Sequence, residues 1–151
     1  MHIRLSEAEM ASADIVAEAR YKECFRGRPT RGQPMEPSML NHKMGAYAEF
    51  AVAKVLNLYP GFTVNNFTGP DIEPNIEVRA APKGRLIITD KDDSFRKFVL
   101  VLGEAPSLEV VGWIWGYEGQ KTEFIFAPNG RPPAYFVPRE SLRPLSTFNE
   151  G

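Results

Sequence analysis

Residues 98–115 read Phe-Val-Leu-Val-Leu-Gly-Glu-Ala-Pro-Ser-Leu-Glu-Val-Val-Gly-Trp-Ile-Trp, and this stretch decides the class of fold. Its two apolar runs, 98–102 and 108–115, are rich in the β-branched and aromatic side chains that favour strands. The segment between them, 103–107, contains the glycine, proline and serine typical of turns. The stretch therefore predicts two neighbouring strands joined by a turn.

Shorter strands are predicted on both sides of this pair. Residues 62–67 and 76–80 alternate between apolar and polar side chains, as half-buried strands do. Residues 85–89 contain Leu-Ile-Ile, which is typical of a buried strand, and 134–137 form a last short strand. The charged segment 90–97 predicts a turn or a short helix.

Two helices precede the strands. Ser6 and Glu9 have the spacing of a capping box, and the alanine-rich run from residue 7 to about residue 25 suits a helix. Ser38 has the residue type of an N-cap for a second helix that ends at Leu56. Helices followed by several short strands predict an α+β fold with a mixed or antiparallel sheet.

Length and composition bound the architecture and the cell compartment. A chain of 151 residues fits one domain, which we divide into an N-terminal helix with a basic loop (1–36) and a core (37–151). Hydrophobic residues make up 43% of the chain, which excludes wholesale disorder. No apolar run is long enough to cross a bilayer, no signal-peptide pattern opens the chain, and Cys24 is the only cysteine. The expected location is the cytoplasm.

Basic side chains concentrate near the end of the first helix. The net charge of −1 differs from that of strongly basic nucleic-acid-binding modules, so a nucleic-acid contact would need a local patch or a metal. Two interpretations of this stretch stay open: a solvated helix end, where cations are favourable, and an arm that contacts phosphates. The candidate nucleic-acid-binding residues are Arg20, Lys22, Arg26, Arg28 and Arg31, with Lys83 in a later turn.

Glu49 lies on the face of the second helix that should pack inward. At about 100° per residue, this face also carries Gly45, Val52, Ala53 and Leu56. An ionised carboxylate there is costly unless a partner, a hydrogen-bond network or a metal stabilises it. A structural ion pair of Glu49 with Arg79 or with His42, which lies along the same stripe, is one alternative. We interpret His42 as mainly structural, since His2 is the only other histidine and a histidine-based zinc site is not expected.

Two further acids meet across a predicted turn. Residues 73–75 (Glu-Pro-Asn) have the composition of a tight turn, so Asp71 should face Glu77. Directly opposed like charges destabilise a strand pair by about 0.2–1 kcal/mol, and a divalent cation would offset that repulsion. Arg79 shares a face with Glu77, whereas Val78 points into the core.

The order of these residues resembles that of the PD-(D/E)xK nuclease superfamily. Gly69-Pro-Asp71, then Glu77-Val-Arg79, and a preceding helix that carries Glu49 match the superfamily's pattern over residues 38–80. The resemblance implies a restriction-endonuclease-like core, which is a mixed central β-sheet flanked by helices. Residues 98–115 are also similar to small uncharacterised phage and prophage proteins that share this layout.

The resemblance implies a metal-dependent nuclease that hydrolyses phosphodiester bonds, with DNA as the expected substrate. Asp71 and Glu77 would bind Mg²⁺ or Mn²⁺, with the backbone carbonyl of Val78 as a further ligand. Glu49 would complete the acidic cluster through a water molecule or a second metal. The metal would polarise a phosphodiester oxygen and lower the pKa of a bound water for in-line attack.

Arg79 stands where the family has lysine. Because arginine keeps its proton, Arg79 cannot act as a base, but its guanidinium can hold a phosphate oxygen and offset charge in the transition state. Lys83, in a predicted solvent-facing turn, is a weaker candidate for supplying an amine.

Two other functions fit the same residues. The first is a catalytically weak or inactive protein of this fold that binds nucleic acid or a protein partner in a phage-related process, which the arginine at position 79 favours. The second is a structural or interaction protein whose acids are ordinary surface charges. A homodimer would bring two sites to two strands, although the sequence does not fix the oligomeric state. Neither a phosphate-binding loop nor a serine or cysteine nucleophile motif is present.

Overall fold

The computed structural model describes residues 1–23, 39–61, 69–81, 84–127, 129–130 and 132–150. The helices in these ranges are α1 (Glu7–Glu23), α2 (Met39–Leu56) and the single turn α3 (Gly116–Gly119). The strands are β1 (His2–Arg4), β2 (Ile76–Ala80), β3 (Arg85–Ile88), β4 (Lys97–Glu104), β5 (Ser107–Trp115), β6 (Ile125–Phe126) and β7 (Ala134–Pro138). Short 3-10 helices occupy Thr122–Phe124, Arg139–Ser141 and Leu145–Glu150. The predicted strand 62–67 and the predicted N-cap Ser38 lie outside the described residues.

The main sheet is mixed, and the fold is α+β, as predicted. Its strand order is β1-β5-β4-β2. Strand β5 pairs antiparallel with β1 and β4, whereas β2 runs parallel to β4 with Glu77 opposite Phe98. The predicted strand pair is therefore the β4–β5 hairpin in the middle of the sheet, and β2 forms one of its edges.

Strand β4 is buried on both faces, which explains its unbroken apolar sequence. On one face Val99 and Val101 pack with the two long helices, and on the other Phe98 and Leu100 pack against a second sheet. This second sheet has three strands in the order β3-β7-β6. The main sheet therefore lies between a helical layer and a smaller sheet.

Small side chains let α2 lie close to the main sheet. Ala46, Ala48, Ala51 and Ala53 are all essentially inaccessible to solvent. Helix α1 packs along α2 and begins with the predicted capping box. There the Ser6 N–H donates to Glu9 Oε1 at 2.7 Å and the Glu9 N–H donates to Ser6 Oγ at 3.1 Å. None of the described helices is both long and apolar enough to span a membrane.

Lys97, the first residue of β4, is buried beneath an aromatic cluster. Its Nζ lies 4.8 Å from the ring centre of Trp113, 5.1 Å from that of Trp115 and 4.4 Å from that of Phe148. The ammonium also donates to the Phe148 carbonyl at 2.5 Å. Burial lowers the pKa of Lys97, while the ring faces stabilise its charge. These contacts fix the C-terminal 3-10 helix to the start of β4.

Gly112 permits the C-terminal segment to pair with β5. Trp113 and Arg143 exchange backbone hydrogen bonds of 3.0 and 2.8 Å, and a Cβ atom added at Gly112 would lie 2.5 Å from the Arg143 carbonyl oxygen. We expect Gly112→Ala to lower the free energy of unfolding by about 1–3 kcal/mol through overpacking, measured by chemical denaturation.

Gly45→Ala is the matched control for this prediction. A Cβ atom at Gly45, inside α2, meets no atom within 4 Å. The same substitution should therefore stabilise the protein by about 0.5–1 kcal/mol through helix propensity. Equal effects of the two substitutions would contradict the steric explanation.

Candidate functional site

The segment before β2 folds back on the edge of the main sheet. Ile72 and Ile76 exchange backbone hydrogen bonds of 3.1 and 2.9 Å, so the predicted turn at 73–75 is confirmed. The Asp71 side chain then lies beside β2, where Asp71 Oδ2 accepts the Val78 N–H at 2.8 Å. A side-chain carboxylate thus satisfies a backbone donor that none of the described strands reaches.

The same hydrogen bond fixes the direction of the Val78 carbonyl. The N–H and C=O of one strand residue point to the same side of the strand. Because the Val78 N–H points away from β4 towards Asp71, the Val78 carbonyl oxygen also faces away from β4. The predicted backbone ligand is therefore on the side of the strand where the acids are.

Glu77 is buried at this edge with only 8% of its surface exposed. Arg79 Nη1 donates to Glu77 Oε2 at 3.2 Å, and Arg96 Nη1 donates to Glu77 Oε1. The Ile72–Ile76 bridge sets Asp71 opposite Glu77, and the charge of Asp71 raises the pKa of Glu77. The predicted pairing of Asp71 with Glu77 is therefore present, together with an arginine that the sequence did not indicate.

Glu49 reaches the site from α2 and is held by α1. Arg20 donates through Nη1 and Nη2 to the two Glu49 oxygens, each at 2.9 Å. The side chains of Arg20 and Glu49 are 20% and 9% exposed, so this fork is largely buried. The partner of Glu49 is thus neither Arg79 nor His42, whose ring contacts that of Tyr21 edge-on at 6.0 Å.

The three carboxyl groups influence one another electrostatically. Burial is the main cause that raises the pKa of each: Glu49, Asp71 and Glu77. The charge of Glu49 raises the pKa of Asp71 further, that of Asp71 raises the pKa of Glu77, and that of Glu77 raises the pKa of Glu49. The structure therefore gathers the three predicted acids into one acidic site, defined here as Glu49, Asp71 and Glu77.

Arg79 links the acidic site to the turn before β4. Its Nη2 donates to Asp92 Oδ1 at 3.0 Å, its Nε donates to the Ile87 carbonyl at 3.4 Å, and its guanidinium lies 5.1 Å from the ring centre of Phe98. Asp92 Oδ2 in turn accepts the Thr89 N–H at 2.8 Å. The predicted turn at 90–97 therefore positions both arginines that bind Glu77. It holds Arg79 through Asp92, and it contains Arg96 itself.

The ligand set suits a hard cation only where its oxygens are uncommitted. No group of three or more histidine, cysteine, aspartate or glutamate side chains in the described parts of the chain is arranged to hold a metal ion. Both Glu49 oxygens bind Arg20, and both Glu77 oxygens accept from arginines. Among the described residues only one Asp71 oxygen accepts a hydrogen bond, so Asp71 and the Val78 carbonyl fit a divalent cation best. Glu77 would join them by exchanging an arginine for the cation.

Most of the predicted nucleic-acid-binding residues cannot be placed. Arg26, Arg28, Arg31 and Lys83 lie outside the described residues. Lys22 is exposed at the end of α1, and Arg20 is bound to Glu49. Arg20 therefore has a part in the acidic site that the sequence did not predict.

The comparisons with known proteins gave no relative. A scan against protein-family models found no matching model, and searches of curated proteins and of solved structures found no match. The resemblance to the PD-(D/E)xK nucleases therefore stays a prediction from the residues quoted from the sequence.

Proposed function

We propose that this protein is a magnesium- or manganese-dependent nuclease that hydrolyses phosphodiester bonds in DNA. The observation that carries the proposal is the position of Asp71 opposite Glu77, on the side of β2 away from β4, with Glu49 close enough to raise the pKa of Asp71. Buried carboxylates that raise one another's pKa repel one another when ionised, and a bound cation relieves that repulsion. Sites of this kind are where proteins bind divalent cations and place perturbed acids for catalysis.

The fold supports the proposal in its layout. The proposal includes a restriction-endonuclease-like core, because the mixed sheet has a parallel β2–β4 pair and a helical layer on one face. One acid comes from α2, one from the turn before β2 and one from β2 itself. This order along the chain is the order in the superfamily that the sequence resembles.

Each residue then has a role in phosphodiester hydrolysis. Asp71, Glu77 and the Val78 carbonyl would hold the cation, and Glu49 would reach it through water. When bound, a divalent cation polarises the phosphoryl group and lowers the pKa of a water molecule. Arg79 keeps its proton, so it holds a phosphate oxygen and offsets the charge that develops there. Arg96 is a positioning residue because it orients Glu77.

A plasmid-nicking assay with magnesium or manganese tests the proposal. Asp71→Asn and Glu77→Gln keep the size of each side chain and remove its charge, so we expect at least a 100-fold loss of cleavage, roughly. Glu104→Gln, an exposed carboxylate at the far end of β4, is the matched control and should cleave like the parent. If both site variants cleave at the parental rate, the acidic site is not catalytic.

A second function has one observation in its favour. Arginines hold both oxygens of Glu49 and of Glu77, so three cations already compensate the acidic site in the metal-free protein. A protein of the same fold that binds DNA or a protein partner without cleaving would keep such ion pairs. Salt-dependent DNA binding in calcium, together with no nicking in magnesium or manganese, would select this function over the nuclease.

A further inference from the structure

A cavity of about 330 Å³ lies between the edge strand β2 and strand β3, next to the acidic site. Arg79 and Asp92 form its wall on the side of the site, and Arg85, Ile87 and Thr89 form the wall on the side of β3. Its volume is within the range of ligand-binding pockets. Because Arg79 also contacts Glu77, a group bound in the cavity would adjoin the proposed catalytic residues.

The unbalanced charge in this cavity is positive. Asp92 is its acid, and both Asp92 oxygens are engaged, Oδ1 by Arg79 and Oδ2 by the Thr89 N–H. The Arg85 side chain is exposed and, among the described residues, makes neither a hydrogen bond nor an ion pair. A guanidinium with five unused donors beside a second guanidinium fits an anion with several oxygens, above all a phosphate group.

An apolar surface continues from the cavity across the second sheet. Arg85 and Ile87 are two residues apart on β3 and therefore share a face, and Ile87 is directly opposite Phe136 on β7. On the next strand Phe126 is 51% exposed and meets Phe136 edge-on, with 5.2 Å between the ring centres. Neighbouring strands lie about 4.8 Å apart, and Arg85 and Phe126 are opposite β7 residues that are four positions apart, so their Cα atoms are roughly 16 Å apart. The two side chains with one nucleotide between them can span this distance. We name Ile87, Phe126 and Phe136 the outer apolar face.

We propose that the cavity and the outer apolar face form a subsite for a neighbouring nucleotide of a single-stranded DNA segment, in which Arg85 binds the phosphate and Phe126 stacks on the base. The proposal rests on the proposed nuclease function for its substrate. Guanidinium groups beside exposed aromatic rings are the combination that binds a nucleic-acid strand without reading its sequence, since every base has a face that can stack. A buried aliphatic pocket without cations would point to a different ligand.

The test measures binding separately from cleavage. A short fluorescent single-stranded oligodeoxynucleotide is titrated with the protein in calcium, and the anisotropy is followed at several salt concentrations. We expect Arg85→Ala to weaken binding about tenfold and to reduce the slope of log affinity against log salt by about one. Arg4→Ala removes the same charge from β1, at the opposite edge of the main sheet, and should change the affinity less than about twofold.

Phe126→Leu tests the contribution of the base. Loss of the ring should weaken oligonucleotide binding about fivefold or more, because stacking on an aromatic side chain is lost. A nucleoside monophosphate should compete with the oligonucleotide better than inorganic phosphate does. Equal competition by the two, together with no effect of Phe126→Leu, would overturn the nucleotide subsite and leave a site for phosphate alone.

The outcomes separate this inference from the proposed function. If the parent binds the oligonucleotide through Arg85 but never cleaves DNA, the subsite stands and the nuclease is wrong. If the parent cleaves DNA and Arg85→Ala binds like Arg4→Ala, the subsite is wrong and the nuclease stands. Absence of binding by the parent would overturn the subsite. Arg85→Gln, which keeps a polar side chain, repeats the test without the loss of bulk.

Discussion

Asp71→Asn should make the metal-free protein more stable than the parent, by about 1 kcal/mol near neutral pH. Burial and the charge of Glu49 both raise the pKa of Asp71, so its ionised form is disfavoured in the native state. Asparagine removes that charge, and its side-chain oxygen can still accept the Val78 N–H at 2.8 Å. The variant therefore loses a repulsion and keeps a hydrogen bond.

The pH dependence of this gain follows from the direction of the shift. Because the pKa of Asp71 is raised above its ordinary value of 3.8, the native state binds more protons than the unfolded state between the two values. The parent's stability therefore rises as the pH falls through the raised value, and the penalty is present above it. The advantage of Asp71→Asn should be largest near neutral pH and should disappear below the ordinary value.

Divalent cations should make the parent more stable than the Asp71→Asn variant. A ligand that binds only the native state stabilises it, by about 2.7 kcal/mol at a hundred times the dissociation constant. Magnesium or manganese should thus raise the unfolding midpoint of the parent and leave that of Asp71→Asn almost unchanged. Asp90→Asn, an exposed aspartate in the turn after β3, should respond like the parent. A less stable Asp71→Asn protein with a parental metal response would contradict the metal site.

Glu49→Gln should have the largest effect on stability, a loss of about 3 kcal/mol, measured by chemical denaturation. The substitution leaves the Arg20 guanidinium with a partner that accepts only one of its two hydrogen bonds, each 2.9 Å in the parent. Breaking a largely buried pair costs more than the pair itself contributes, because the buried charge that remains loses its carboxylate.

An exposed fork of the same kind provides the control. Arg143 donates through both terminal nitrogens to Glu118, and the Arg143 side chain is 42% exposed. Glu118→Gln should therefore cost less than about 1 kcal/mol, since water replaces the lost partner. In addition, the double variant Arg20→Leu with Glu49→Leu should recover much of the loss of Glu49→Gln. Equal costs for Glu49→Gln and Glu118→Gln would show that burial does not determine the strength of the Arg20–Glu49 pair.

Local patterns predicted the parts of the fold that depend on neighbouring residues. The capping box at Ser6 and Glu9, the β4–β5 hairpin and the turn at 73–75 all follow from spacing and residue type within a few positions. The inward face of α2 was also predicted correctly at Glu49, because helical periodicity does not depend on what packs against the helix.

The partners of the acids could not be predicted in this way. Arg20 is 29 residues from Glu49, and Arg96 is 19 residues from Glu77. Which of many arginines meets a given carboxylate is decided by how helices and strands pack, and alternation along a strand does not show whether its neighbour runs parallel. The charge-rich turn at 90–97 was a signal for Arg96 and Asp92, since it directly precedes the strand that pairs with β2.

The bond from the Val78 N–H to Asp71 has a consequence for solubility. An edge strand with unpaired N–H and carbonyl groups is a template on which a strand of another copy can be added. Among the described strands β2 is such an edge, and the Asp71 carboxylate occupies one of its donors and places negative charge beside it, which disfavours the addition of another strand there. Truncation of Asp71 to alanine would remove both the acceptor of the Val78 N–H and the charge, whereas asparagine removes the charge alone.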